Sequence, residues 1–403
     1  MVLRGQSQGG SMTGARRIDE IIQQNADRLA VALENHMRTS FMPDARKELR
    51  PFTSAESAEF LGMDPARLRK LHFDDKIPEV EMDSRGRRLY SGANIVEIRR
   101  VLETLSRKVG QFLPGRRDDD RIQVIAVANY KGGSSKTTTA IHLAQRLALR
   151  GYRVLAIDID PQGSLTTMFG YTPETEFQSG GNIYDAIRYD DPVPMQEVIR
   201  KTYFPNLDLA ASGLVLAEFE HETPRALNER REPMFFKRLG LAIDQVEADY
   251  DVVVIDCPPQ LGFLTMSALI AATTVLITVI PSMLDIASMN QFLQMTAGLL
   301  NVVSNHGASL EYDHLKFLIT RFEPSDGPQA QMAGFLRALF TDQVMTNTFL
   351  KSTAVSDAGL TQQTLYEVDR SEFNRNTYDR AVESINSVVG EMEELIQAAW
   401  GRN

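Results

Sequence analysis

The stretch Asn129-Tyr130-Lys131-Gly132-Gly133-Ser134-Ser135-Lys136-Thr137-Thr138-Thr139 decides how this chain reads. An apolar run, Val124-Ile125-Ala126-Val127-Ala128, precedes it, and a helical pattern follows as far as Gly151. Strand, small-residue loop and helix form the setting of a phosphate-binding loop, because N–H groups at the helix start can wrap phosphate oxygens. The strict G-x-x-x-x-G-K-[ST] spacing fails: Tyr130 and Ser135 stand where its two glycines belong. Gly132 and Gly133 supply the pliable backbone instead, and Lys131 adds a second cation. KGGxxK[ST] with a leading lysine is a variant of this loop. The candidate phosphate contacts are therefore Lys131, Gly132, Gly133, Ser134, Ser135, Lys136, Thr137 and Thr138. Lys136 is placed to reach the β- and γ-phosphates, and the Thr137 hydroxyl to join a Mg²⁺ shell.

Two further strand-like runs end in acids. Val154-Leu155-Ala156-Ile157-Asp158-Ile159-Asp160-Pro161-Gln162-Gly163 is one, and Asp251-Val252-Val253-Val254-Ile255-Asp256-Cys257-Pro258-Pro259 is the other. A single acid at a strand end is often no more than a helix cap. Several beside a lysine-threonine loop fit Mg²⁺–nucleotide chemistry, which needs cation, hydroxyl and carboxylate to converge on the phosphates.

Apolar runs at Val124–Ala128, Val154–Ile157, Leu207–Ala210, Val252–Ile255, Val275–Val279 and Phe317–Thr320 alternate with helical stretches. This alternation predicts an α/β domain, residues 122–403, with a mostly parallel sheet covered on both faces. Its ligands belong at the carboxyl ends of the strands.

At 403 residues and 43% apolar content, the chain can bury two or three domains. One cysteine excludes a disulfide framework and a thiolate cluster. The six histidines are scattered, so a zinc site is not expected. No apolar run reaches the roughly 20 residues that cross a bilayer, and the N-terminus lacks a signal-peptide core; a cytoplasmic protein is expected. Residues 1–120 carry 21 basic and 19 acidic side chains, leaving 22 and 34 for the remainder. An acidic main body does not suit indiscriminate coating of nucleic acid, so any DNA contact there needs a local basic patch.

Residues 1–50 read as a disordered start, 1–14, followed by a helix with Ile18, Ile22, Leu29 and Leu33 on one stripe, broken at Met42-Pro43. That stripe either packs on its own domain or pairs two chains. Residues 51–113 read as a winged helix-turn-helix. A first helix stops at Gly62, Asp64 caps a second with Pro65 at its first position, a hairpin turns at Ser84-Arg85-Gly86, and Ser91 caps a last helix. Arg67, Lys70, Arg85, Arg87 and Arg88 are its candidate DNA contacts. The opposing reading is a solvated charged face, since residues 51–120 hold 13 basic and 13 acidic side chains. Residues 114–121, with Pro114-Gly115 and an aspartate run, read as a linker.

Together the three strand-end motifs resemble those of the deviant P-loop ATPases of the ParA/MinD group, and Asp-x-Asp-Pro-Gln-Gly at 158–163 points to the ParA family. The resemblance runs from Ile122 to the C-terminus and includes Leu318–Arg321, Ser352–Ala358 and Thr364–Glu367; Ser135 departs from the glycine of many relatives. With the winged helix-turn-helix ahead of it, the chain is similar to large plasmid-partition ParA proteins, the RepA branch of repABC replicons above all. The resemblance implies a slow, Mg²⁺-dependent ATPase that binds ATP and ADP and forms a homodimer. It also implies non-specific binding to nucleoid DNA, a ParB-like centromere-binding partner, repression of its own operon through the N-terminal module, and no membrane. Lys131 would cross to the partner's nucleotide, Lys136 bind phosphate, and Asp160 position or activate water. Thr137, Asp160 and Asp256 would serve the Mg²⁺, Pro258-Pro259 open a switch segment, and Pro281, Thr320 and Arg321 lie near adenosine. Lys351, Arg370 and Arg375 are candidates for the non-specific DNA patch. Two other classes compete. A nucleotide-regulated repressor without a segregation role uses the same residues. A MinD-like membrane ATPase needs a basic amphipathic tail, whereas Glu391–Asn403 carries three glutamates and one arginine.

Overall fold

The computed structural model describes residues 17–40, 47–117, 119–177, 180–307 and 310–402. The expected disordered start, the Met42-Pro43 break and the side chain of Leu33 lie outside the described residues. The chain divides into two compact units, Met1–Arg46 and Lys47–Asn403. The first holds the helix Ile18–Ser40, with Asp19 and Glu20 in its first turn where the helix dipole favours them. Its Ile18, Ile22 and Leu29 are exposed.

In the second unit β1 (Phe52–Thr53) and β2 (Leu89–Tyr90) pair antiparallel. Seven more strands form one sheet: β3 (Gln123–Ala128), β4 (Val154–Asp158), β5 (Ile199–Lys201), β6 (Leu207–Ala210), β7 (Val252–Asp256), β8 (Thr274–Val279) and β9 (His314–Ile319). Their order is β5-β6-β4-β7-β3-β8-β9. All neighbours are parallel except β5, which lies antiparallel on the edge beside β6. All six expected strands are present. β5 was not foreseen, because Ile199-Arg200-Lys201 is short and charged, as edge strands tend to be.

The apolar runs are continuous because β3, β4, β7 and β8 are buried on both faces. Alternate residues feed two core layers. Ile125, Val127, Ala156 and Val254 pack with Ile141, Ala144 and Leu147 of the helix Lys136–Arg150 and with Val388 and Met392 of the helix Arg375–Ala399. Val124, Ala126, Leu155 and Val253 pack with Phe236, Leu239, Leu264 and Phe292 on the opposite face. The chain leaves β3 for β4 on one side and later lays down β8 and β9 on the other, so the loop after β3 sits at the topological switch point.

Residues 52–105 form three helices, Ser54–Phe60, Pro65–Phe73 and Gly92–Leu105, and a short hairpin. The caps at Asp64, ahead of Pro65, and at Ser91, with Asn94, are the expected ones; Thr53 caps the first helix in a box with Glu56 instead of lying inside it. The hairpin turns at Gly86, φ +73°, and the Asp83 carboxylate accepts the N–H groups of Arg85 and Arg87.

This module shares its core with the large sheet. Phe60, Leu61, Ile98 and Leu102 belong to the same apolar layer as Ile141 and Leu147. Arg99, 2% exposed, stitches them together. It donates to the carbonyls of Leu149 at 3.1 Å, Phe112 at 2.9 Å and Phe60. Burial, with Arg150 close by, pushes its guanidinium down to about 9. The stretch 114–121 is fastened as well. Arg116 N–H donates to Asp251 at 3.0 Å, and the Pro114 carbonyl accepts from Gln397 and Arg402. Gly115 leaves room for this, since a Cβ there would lie 2.5 Å from the Asp251 carboxylate. A cut at residue 113 would run through a continuous core. Replacing Arg99 by Met should strand three buried acceptors and lower unfolding free energy by about 3 kcal/mol or more, checked by urea denaturation of the full chain; an unchanged midpoint would show that the three bonds carry no net stability.

Candidate nucleotide site

The loop Asn129–Ser135 is held from behind by β8 and β9. Asn129 Nδ2 donates to the Thr278 carbonyl at 2.5 Å, Thr278 Oγ1 to Ser134 Oγ at 3.1 Å, and Thr320 Oγ1 to the Ser134 carbonyl at 3.0 Å. Gly133 (φ +76°) and Ser135 (φ +68°) both adopt the left-handed conformation. Ser135 does so at a cost of about 1 kcal/mol that glycine escapes. A Cβ added at Gly132 or Gly133 would meet no atom within 4 Å, and both residues border an open cleft. The loop is therefore a bare backbone cradle with room above it.

That cleft has a volume of about 620 Å³ and is lined by Lys136, Thr137, Thr138, Asp160, Ser164 and Pro259 on the loop side. Lys136 Nζ donates to the Lys131 carbonyl at 3.2 Å. Burial pulls this ammonium down, and Asp256, Cys257 and Asp160 push it back up. Thr137 Oγ1 donates to Asp256 Oδ2 at 2.6 Å. Asp256 stands opposite Asp158 in the β4–β7 register, and both are fully buried. Burial raises both carboxyls, Asp158 to about 7, and in Asp256 the charge of Asp158 adds to the rise.

Asp256 Oδ1 is buried without a hydrogen-bond partner, beside the threonine hydroxyl. Asp256 does not itself line the cleft, but an orphaned carboxylate oxygen whose sister oxygen accepts the hydroxyl of a cleft-lining threonine fits the shell of a Mg²⁺ brought in with a nucleotide. Such an ion uses few protein ligands, consistent with the absence, among the described residues, of any cluster of three His, Cys, Asp or Glu at metal-binding distance.

The lining also includes Phe349, Leu350 and Ile385, which sequence reasoning did not single out, Lys351, which it placed on a DNA patch, and Ser352 and Thr353, which it noted for the resemblance without giving them a site role. Arg321, φ +50°, lines the cleft and reaches the Gly133 carbonyl at 3.4 Å. Thr320 stands behind the loop, and Pro281 is buried at the start of the helix Met283–Ser304, outside the lining residues. Lys131 does not line the cleft. Its ammonium lies 2.9 Å from Asp285 Oδ1, a charge contact without hydrogen-bond alignment.

The other candidate cations are scattered. Lys351, expected on a DNA patch, borders the cleft and pairs with Glu323 at 3.0 Å. Arg370 is held by both oxygens of Asp379, and Arg375 is exposed at the start of the last helix. On the N-terminal module Arg67, Lys70 and Arg85 are exposed, joined by Arg69, which sequence reasoning passed over. Arg88 is half-buried in the hairpin, and Arg87 is paired with Asp83 at 2.7 Å.

Residues 122–306 match a family described as an AAA domain. The "Putative replication protein A" of Rhizobium rhizogenes is 50% identical over 385 residues, 95% of each chain. Protein SopA of Escherichia coli strain K12 is 30% identical over 89% of this chain and 92% of its own. Among solved structures, one named "Partition Protein" covers 94% of this chain and 99% of its own at TM-score 0.64 and 18% identity. The ATP complex of a Cyanothece McdA variant covers 70% of this chain and 98% of its own at TM-score 0.55 and 19% identity. These two are likenesses of fold.

Proposed function

Because the chain belongs to the ParA family of partition ATPases, we propose that it is the ATP-driven component of a plasmid-partition system that also represses its own operon. The observation that carries this reading is the convergence of Lys136, Thr137 and Asp160 on one cleft beside a bare-backbone loop, with the buried Asp256 carboxylate, one oxygen orphaned, accepting the Thr137 hydroxyl from behind. Loop N–H groups and Lys136 bind the β- and γ-phosphates of ATP. Thr137 and Asp256 would hold Mg²⁺, which would neutralise phosphate charge when bound. Asp160, which lines the cleft, orients the attacking water. Lys131 leaves Asp285 to reach the nucleotide of a second copy, so dimerisation follows ATP. Turnover is slow and is raised by a ParB-like partner.

The N-terminal module is a winged helix-turn-helix that reads an operator, with Arg67, Arg69 and Lys70 on the helix Pro65–Phe73 and Arg85 and Arg88 on the hairpin. Arg87, already neutralised by Asp83, contributes less. The ATP dimer binds DNA without sequence preference, cycling on and off the nucleoid.

The test is binding to operator and to random duplex, each with ADP and with ATP, across a salt series. ATP-dependent, sequence-indifferent binding is the expected result. Operator binding alone, unaffected by ATP, would leave a repressor with no segregation role. In the same assay Arg85→Glu with Arg88→Glu should weaken operator affinity tenfold or more and flatten the salt slope by about 0.9 per lost phosphate contact. An unchanged slope would remove the hairpin from the interface.

A further inference from the structure

Asp160 sits on a five-residue loop, Ile159–Gly163, between β4 and the short helix Ser164–Met168. A carboxylate on such a loop has no rigid element of its own, yet a group that aligns a water molecule must be held to within a fraction of an ångström. The structure holds the Asp160 peptide from both sides. Its N–H donates to Asp158 Oδ1 at 3.1 Å. Its carbonyl accepts from Ser212 Oγ at 2.7 Å and from Gly163 N–H at 2.8 Å.

The two grips are joined behind the loop. Asp158 Oδ2 accepts both the N–H and the hydroxyl of Thr166, each at 2.8 Å. Thr166 Oγ1 in turn accepts the N–H of Ser212 at 2.9 Å. The circuit runs Asp160, Asp158, Thr166, Ser212 and back to Asp160. Asp158, Thr166 and Ser212 are all 0% exposed. Each hydroxyl has a single fitting orientation: Thr166 donates to a carboxylate while accepting from an amide, and Ser212 donates to a carbonyl. None of the three lines the cleft. Ser212 follows β6, the neighbour of β4, so the circuit fastens the loop to the next strand of the sheet.

We propose that Thr166 and Ser212 are positioning residues for Asp160, setting the backbone of its loop so that the carboxylate is aligned for hydrolysis without touching the nucleotide. This rests on Asp160 being the residue that orients water. Removing one hydroxyl loosens one grip and leaves the phosphate cradle intact, so the step that suffers is turnover.

Ser212→Ala, Thr166→Val, Thr166→Ser and Asp160→Ala, each in the full chain, should be compared for phosphate release in a single turnover and for affinity toward a fluorescent ATP analogue. Ser212→Ala and Thr166→Val should slow turnover by about tenfold to a hundredfold, with affinity held within about twofold. Thr166→Ser, which keeps the hydroxyl, should restore the rate. Added to Asp160→Ala, neither substitution should slow turnover further, since residues acting as one unit are not additive. If Asp160→Ala abolishes turnover while Ser212→Ala and Thr166→Val leave it unchanged, the positioning proposal fails and the role of Asp160 stands. Full turnover in Asp160→Ala would instead remove the reading on which the proposal rests. Equal losses of affinity and rate in both hydroxyl variants, unrescued by Thr166→Ser, would reduce the circuit to general packing and overturn the proposal.

Discussion

Lys136→Ala should abolish ATP binding. The side chain is 7% exposed and packed at the floor of the cleft, where Asp256, Cys257 and Asp160 favour its charged form against the pull of burial. A buried ammonium aimed at phosphate works in a medium that screens poorly, and truncating one member of such a desolvated charge contact costs about 2–5 kcal/mol. That corresponds to at least a thirtyfold loss of affinity and as much as several thousandfold. The substitution also removes the cation that favours the charged form of Asp256, adding repulsion when the nucleotide brings its own negative charge. Titration with a fluorescent ATP analogue gives the affinity directly. A thermal melt adds a second readout, because a ligand that binds the folded state raises its melting temperature. The natural chain should melt higher with ATP and the variant should not. Unchanged nucleotide affinity would mean that this loop does not hold the phosphates.

Asp160→Ala should give the complementary result: ATP affinity retained and turnover lost by about a hundredfold to ten-thousandfold. The residue is half-buried where it lines the cleft, and its carboxylate accepts the Gln162 N–H at 3.0 Å. The bonds that fix its loop are made by its own backbone, so they survive removal of the carboxylate. The variant should therefore fold, bind ATP and stay in the ATP-bound state longer than the natural chain. Rapid-quench phosphate release, measured beside equilibrium ATP binding, separates the two steps. Full turnover would move catalysis to another group.

Much of this architecture was legible from local chemistry. Doubly buried strands read as continuous apolar runs because both faces of β3, β4, β7 and β8 need apolar side chains. The caps at Asp64 and Ser91 were readable because a cap bonds within its own first turn. Lys136, Thr137 and Asp160 were readable for a related reason, since strand ends of a parallel sheet converge on one edge. Other features had no local signal. Arg99 looks like any helix-face arginine in sequence, and only the meeting of three carbonyls around it makes it a stitch. Asp285 stands 154 positions after Lys131, and Lys351 more than 200 after the loop it faces.

The sequence by itself determined that this chain folds around a mostly parallel sheet and carries a bare-backbone glycine loop with a second lysine, because strand burial, helix caps and loop backbone are set within a few residues. Tertiary structure alone decided what surrounds the cradle. Strand order brings β8 and β9 beside the loop, which places Asp285 under Lys131 and Phe349–Thr353 along the cleft. It also decided that the N-terminal module rests on the helix Lys136–Arg150, where the apolar faces of both are covered only by packing together. Periodicity says which face of an element is apolar; only the packed chain says what covers it.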